Sequence, residues 1–548
     1  MGDRRSFEER QARLREIEAQ MAARQEQPKR HRVRNGILLA GVFLLIGGAV
    51  AAALYVQFLY QTPATVLAGD VVRREGEWQR VQRPSLTPLI SVAEWIFPYR
   101  EGDRVARSRR GDYAGVGPQA ALADAALCYR ADGQPVPTTR AGRPPVGDGG
   151  CTVARTATRT VGSAEGLRAA VRDAQPGDII ELLPGRYAIG GSPIDTRRGG
   201  TSAAPILLRA DRPGTVTLET RTGEAMRITQ PFWVIENLAF EADCGMWGCE
   251  HALHVSGAGR SAWIRNNSFR DYNAAIKANS VARVGAQPDR LTIEANRFWN
   301  RAVQPTTKPV TPIDVVAADD VVIRANRISD FGKGESDRIS YGLFVKGGSK
   351  RPIIEGNHVR CAENHGGGTR VGISLGGGGT APRMCSTPDC AEETVGGIVR
   401  ANVVEQCSDV GIYLNKAAAS LVANNLLADT RGIDARYAAT DAEVFNNIID
   451  GRIAEWDGAH VHAAGNAMSG LRAATLRSQV RTLLRDPDTG DLGFKSEEDA
   501  ARRGRTLPAR SLRFEDFCGR LVDGRAPPVG PIEQRGGTSC AAGSADQS

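Results

Sequence analysis

A chain of 548 residues, 41% hydrophobic and 24% charged, has ample material for a large core and lacks the composition of a disordered chain. The formal net charge is +8, but residues 1–34 hold ten Lys/Arg against six Asp/Glu, so half of the excess belongs to a tail. No strongly basic globular domain remains, which argues against nucleic acid as a partner.

Residues 1–34 read as a charged cytoplasmic tail, rich in helix formers, with Phe7, Leu14 and Met21 as a weak heptad seam. From Asn35 to Gly69 there is no charge, and Gly36 to Tyr60 is nearly all apolar. That run is long enough to cross a hydrocarbon core about 30 Å thick. Tyr55, Phe58 and Tyr60 close it as an aromatic belt would, and the basic cluster from Lys29 to Arg34 places the N-terminus in the cytoplasm. The expectation is a single transmembrane helix over 35–60 in a cell inner membrane, with the main domain in the periplasm. The alternative is a signal peptide cleaved after Ala53. Residues 61–150, with Pro, Gly and Arg but no period, read as a partly ordered linker.

The globular part opens near Cys151. Ser163 is placed to cap a helix whose apolar positions are Leu167, Ala170, Val171 and Ala174. Gln175-Pro-Gly-Asp178 ends it and turns into a strand, Ile179 to Leu182. Such a helix would cover the open end of a stack of strands.

From Ile264 to Ile449 one phrase returns: an aliphatic residue, two variable residues, Asn, one more residue, then a second apolar residue. Its asparagines are Asn267, Asn296, Asn326, Asn357, Asn402, Asn425 and Asn447, at steps of 29, 30, 31, 45, 23 and 22 residues. A period in this range marks a solenoid, a propeller or an array. The units are short, alternating in polarity and broken by Gly, Asn and Asp, so they are strands rather than helices. The pattern predicts an all-β parallel β-helix over 151–470, with coils about 4.8 Å apart. The recurring asparagines would stack in a hydrogen-bonded ladder, and their side chain suits left-handed backbone at the turn. Residues 471–548 read as a C-terminal capping segment, packed back along the solenoid, with a disordered tail.

The run from Ala174 to Phe240, "AQPGDIIELLPGRY…APILLRADRPGTVTLE…MRITQPFWVIENLAF", resembles the first coils of the polysaccharide lyase family that contains alginate lyases and chondroitinase B. That resemblance implies a right-handed β-helix of the pectate-lyase-like kind. It also implies an acidic polysaccharide as partner.

Ten cysteines suit an oxidising compartment. Cys244 with Cys249 and Cys385 with Cys390 look like disulfide-closed loops. Cys361 and Cys407 follow matching turn asparagines and are placed to pair. Cys128 with Cys151 and Cys518 with Cys540 are the remaining pairs by proximity.

A second phrase sets the site. Leu253-His-Val255, Ile276-Lys-Ala278, Ile313-Asp-Val315, Leu343-Phe-Val345, Ile373-Ser-Leu375, Ile412-Tyr-Leu414 and Ile433-Asp-Ala435 alternate apolar and other residues. Apolar members face the core, so the others face outward. Stacked, they form one row of His254, Lys277, Asp314, Phe344, Ser374, Tyr413 and Asp434. A second row runs Ser256, Asn279, Val316, Lys346, Gly376, Asn415 and Arg436. Lys277, Asp314 and Lys346 then form one charged cluster, and Tyr413, Asn415, Asp434 and Arg436 another. The glycines at 366–368 and 376–379 border this face. A solvated sheet face would carry mixed charges too, so a structural reading stands beside the functional one.

Eliminating a polyuronate needs a base for the C5 proton, neutralisation of the carboxylate, and an acid for the leaving oxygen. The resembled lyases use a lysine base, an arginine and, in many members, calcium held by Asn and Glu. Lys346 stands where their lysine does, with Lys277 beside it. The coil that carries their arginine here reads Ile373-Ser-Leu-Gly-Gly-Gly-Gly379 and has none, leaving Arg370 and Arg436 as the substitutes. His254, Asp314, Phe344, Tyr413, Asn415 and Asp434 are the candidate substrate-binding residues; the metal ligands are unassigned. The expectation is a membrane-anchored protein acting on an acidic polysaccharide by β-elimination. The alternative is a non-catalytic β-helix that binds or scaffolds an envelope glycan or a protein partner.

Overall fold

The structure, a computed structural model, describes residues 129–130, 132–136 and 156–533, apart from 246–247, 281–285, 387–389 and 469–477. The expected tail, the membrane span over 35–60 and most of the linker lie outside the described residues.

Three parallel sheets run side by side along the chain. Sheet I has 12 strands, from Arg159–Val161 to His460–Ala464; sheet II has 11, from Gly185–Ile189 to Ala467–Met468; sheet III has 10, from Ile194–Asp195 to Arg452–Trp456. Each coil visits I, II and III in turn, so each strand pairs with its counterparts one coil before and after. In one coil these are Trp263–Arg265, Ser268–Arg270 and Ile276–Asn279. This is the expected parallel β-helix. The helix Ala164–Arg172 stands at its start, with Ser163 Oγ accepting from Gly166 N at 3.1 Å. Its Leu167 and Val171 join the core against Ile180 and Leu182.

The core is made of stacked like residues. Ile235, Ile264, Ile293, Ile323, Ile354, Val399, Val422 and Val444 are fully enclosed. Phe240, Phe269 and Phe298 stack with centroids 5.1 and 4.8 Å apart. Such offset stacks add to the burial of apolar surface.

The asparagine ladder forms between sheets I and II. Asn267 N and Nδ2 both reach Asn296 Oδ1, at 2.9 and 3.1 Å, and Nδ2 also donates to Ile235 O at 2.9 Å. The same bonds repeat upward through Asn326, Asn357, Asn402, Asn425 and Asn447, to Asn466. The expected left-handed backbone is displaced by one residue. It falls on Asn266, Ala295, Ala325, Gly356, Ala401, Asn424 and Asn446, with φ from 52° to 61°. The residue before the ladder makes the corner, leaving the ladder asparagine's own N–H aligned with the next Oδ1. An alanine in that conformation costs on the order of 1 kcal/mol, which the buried amide bonds offset.

Outside sheet I, a second ladder alternates in charge. Glu181, Arg209, Glu236, Arg265, Glu294, Arg324, Glu355 and Arg400 sit in register on successive strands. Arg265 Nε lies 2.7 Å from Glu236, Arg209 Nη2 2.8 Å from Glu181, and Arg400 Nη2 2.7 Å from Glu355. Residues 478–533 cover the later coils on sheets I and II. Glu515 reaches Arg324 at 2.7 Å, Ser511 reaches Arg400 at 2.8 Å, and Phe514, Phe517, Val529 and Ile532 pack on the strands. The C-terminal segment is therefore a lateral layer, held by its own short antiparallel pairs.

Disulfides join Cys244 to Cys249, Cys361 to Cys407 and Cys385 to Cys390, as expected from spacing. Cys518 is also disulfide-bonded. Cys128, Cys151 and Cys540 lie outside the described residues.

Candidate functional site

Both outward rows of sheet III have the register expected. His254 pairs with Lys277, Lys277 with Asp314, Asp314 with Phe344, Phe344 with Ser374, Ser374 with Tyr413, and Tyr413 with Asp434. In the second row Asn279 pairs with Val316, Val316 with Lys346, and Asn415 with Arg436. Strand parity alone aims these side chains away from the core.

A groove of about 550 Å³ opens on this face. Its floor carries Lys277, Asp314, Phe344 and Lys346; one wall is Gly377–Gly379 with Thr380, Ala381 and Met384, and the other carries Lys333, Asp337 and Tyr341. The glycine wall is anchored from below. Glu393, 2% exposed, accepts from Gly347 N at 2.8 Å and from Thr380 Oγ1 at 3.2 Å. It thereby ties the turn after Lys346 to the loop that overhangs it. Gly347 (φ 76°) and Gly376 (φ 78°) both occupy left-handed backbone, and a Cβ on Gly376 would collide with Asn415 O.

Lys346 is at the centre. Its Nζ donates to Gly378 O at 3.0 Å and lies 4.4 Å from the Phe344 ring centroid. Burial pushes its pKa below the usual lysine range; Asp314 and Glu393 oppose that shift, and Lys277 reinforces it. Lys277 Nζ is 2.7 Å from Asp314 Oδ1, and Lys333 is ion-paired with Asp337. Tyr341 and Phe344 meet edge to face at 5.7 Å.

His254 sits one rung before Lys277. Its Nδ1 is 2.9 Å from Glu224 Oε1 and its Nε2 is 2.7 Å from Asn279 Oδ1, so it supports Asn279, which lines the groove. The hydrogen bond from His254, aided by Arg227, holds Glu224 at about 2.

Four candidates lie on the following coils and do not line the groove. Asn415 Nδ2 donates to Tyr413 Oη at 3.1 Å, and Arg436 is held by Asp457 at 2.5 Å and stacks on Tyr437. Asp434 is nearly buried. The glycine loop stands between them and Lys346, with Gly378 close to Asn415 Nδ2.

Arg370 is a correction. Its side chain is enclosed, 1% exposed, and donates to the carbonyls of Cys361 (2.5 Å), His365 (2.8 Å) and Gly367 (3.2 Å). A glycine-rich turn leaves carbonyls in need of donors, and a guanidinium supplies five in a fixed fork. Arg370 therefore builds the 361–368 turn and is not in the groove.

Among the described residues, no three His, Cys, Asp or Glu side chains converge to hold a metal. Asp314, the acid on the groove floor, is already committed to Lys277. Among the described residues the groove therefore shows no cluster of carboxylates for the calcium that the resemblance implies.

Sequence reasoning missed Lys333, Asp337, Tyr341, Met384 and Glu393. Tyr341 had a signal, because the alternation of strand Ile339–Lys346 extends back to it. The others come from loops and carry no period.

No protein-family model matches the chain, and no curated protein matches it. Solved structures with similarity include an alginate lyase from Paenibacillus sp. str. FPU-7, at 16% identity and TM-score 0.35, over 57% of this chain and 96% of that one. Pectate lyase Pel9A aligns at 14% identity and TM-score 0.41, over 69% and 97%. The PL6 family polysaccharide lyase Pedsa3628 from Pseudopedobacter saltans aligns at 14% and 0.28, over 56% and 92%. Identities this low leave the activity to be argued from the groove.

Proposed function

We propose that this protein binds an acidic polysaccharide in the groove over Lys346 and cleaves it by β-elimination. The observation that carries the reading is a half-buried lysine, its pKa lowered, in a groove with two further lysines on its floor and wall. A neutral amine there can take the C5 proton of a uronate. The electron pair then forms the C4–C5 double bond, the C4–O bond breaks, and the leaving oxygen takes a proton. Lys277 and Lys333, each held by an aspartate, line the groove that the uronate would enter, and the Tyr341 phenol is the nearby acid. Ultraviolet absorbance of unsaturated products, over a panel of polyuronates and glycosaminoglycans, tests the reading. Lys346→Ala should abolish that signal while the melting temperature stays within about 2 °C, as for a surface-groove substitution. Absence of product on every glycan, or full activity in the variant, would sink it.

A second reading has its own support. Every lysine of the groove already has an acceptor: Gly378 O, Asp314 or Asp337. A protein that only binds glycan would look the same, and would retain ligand without releasing product.

We further propose that the domain is held outside a membrane by the uncharged segment 35–60. The basic cluster before that segment and the disulfides of the β-helix support this placement. A reporter active only in the cytoplasm, fused at the C-terminus, should give no signal; a positive signal would reverse the topology.

A further inference from the structure

The charges of the groove are paired in a way that a densely charged ligand cannot use. Among the described residues, five charged side chains line it: Lys277, Asp314, Lys333, Asp337 and Lys346. The Lys277–Asp314 pair is 2.7 Å long, with side chains 21% and 8% exposed. Lys333, 7% exposed, is paired with Asp337, 56% exposed. Lys346 has no carboxylate within ion-pair distance among the described residues, and Glu393 below it bonds to Gly347 N and Thr380 Oγ1. Three lysines against two aspartates leave the described lining with at most one uncompensated positive charge.

We propose that the groove selects a sparsely charged polysaccharide, with one carboxylate per disaccharide or longer repeat, and that Asp314 and Asp337 exclude polyuronates. The proposal rests on the reading of this groove as a glycan site. A polyuronate presents a carboxylate on every sugar. One can sit against Lys346; the next must face Asp314 or Asp337, or strip a lysine from its partner. Stripping Lys277 would leave the nearly buried Asp314 unpaired, which is unfavourable. Like charges set against the wrong ligand are an ordinary source of specificity. A neutral sugar beside the uronate meets neither obstacle. Its hydroxyls can donate to the aspartate oxygens, and the half-exposed Tyr341 is the aromatic ring within its reach.

The test varies the charge on one sugar backbone and adds a second backbone that is sparsely charged by nature. The full chain is titrated calorimetrically with polygalacturonate fragments, with the same fragments half methyl-esterified, and with hyaluronan fragments, each at three salt concentrations. The sparsely charged forms should bind about tenfold tighter than polygalacturonate. The log–log salt slope should be about one, as for release of a single counterion. Asp314→Asn and Asp337→Asn should each raise affinity for polygalacturonate about fivefold and change the other affinities by less than about twofold. Asp337 is exposed, so its variant stays informative even where Asp314→Asn disturbs the fold. Polygalacturonate bound as tightly as its half-ester, a slope of two or more, or aspartate variants with unchanged preference would each overturn the selectivity and leave the glycan reading standing. Binding of none of the three would overturn the glycan reading, and the selectivity with it.

Discussion

The Lys346 ammonium donates to the Gly378 carbonyl, 32 residues further along, at 3.0 Å. That bond closes the glycine loop over the one lysine of the groove floor with no carboxylate partner among the described residues, and burial there moves its proton equilibrium. Burial pushes the Lys346 pKa down, while the unfolded chain keeps the ordinary value near about 10.4. Below both values each state binds the proton, and the cost of burying the ammonium is felt in full. Between them only the unfolded chain binds it, so stability rises with pH; above about 10.4 the cost is gone. Lys346→Met removes this titration. The stability of the variant relative to wild type should fall as pH rises toward that value, read from urea midpoints across alkaline pH. A difference independent of pH would mean that Lys346 is not desolvated.

Arg370→Lys separates the turn from the groove. A lysine cannot satisfy the three carbonyls of Cys361, His365 and Gly367 together, so the variant should lose about 2–3 kcal/mol of stability. Below its melting range, glycan affinity should change by less than about threefold, since the side chain does not reach the groove. A large affinity loss with an unchanged melt would return Arg370 to the site.

Glu405 carries an acid-sensitive contact under the C-terminal layer. Burial alone would raise its pKa, but the Arg360 charge and hydrogen bonds from His358 and Arg360 hold it at about 2. His358 Nε2 and Arg360 Nε each lie 2.6 Å from Glu405 Oε1. A depressed carboxylate contributes stability above its unfolded value, and that contribution is lost as pH falls through the folded value. Glu405→Gln should cost about 3 kcal/mol at pH 7, because it leaves buried Arg360 without its main counterion. The gap to wild type should narrow between about pH 4.5 and 2. Denaturant midpoints at pH 7 and pH 3 measure it.

Asn357 is a middle rung of the ladder. It donates to Ile323 O at 2.9 Å and to Asn402 Oδ1 at 3.0 Å, and its Oδ1 accepts from Asn326 N and Nδ2. Asn357→Ala strands these groups in a fully buried corner and should cost about 3 kcal/mol in chemical denaturation. Asn466→Ala, at a partly exposed end of the ladder, should cost less than half as much. Equal losses would mean that the ladder stabilises by packing alone.

The solenoid, its asparagine ladder and the outward phase of Lys346, Lys277 and Asp314 were legible in the sequence. The Glu/Arg ladder from Glu181 to Arg400 was legible too, as the charged residue after each inward aliphatic residue, although the pattern drawn from the asparagines passes over it. All of these are periodic properties. In a parallel stack each residue meets its equivalent on the next coil, so a repeated phrase specifies both neighbours and facing. Tertiary structure alone decided which turn residue goes left-handed and that Arg370 turns inward to carbonyls. It also decided that Lys333, Asp337, Met384 and Glu393 complete the groove, and that residues 478–533, expected along the solenoid, lie on sheets I and II. These depend on loops of unequal length, where a side chain's direction follows the backbone dipoles it meets across space. No period along the chain encodes that direction.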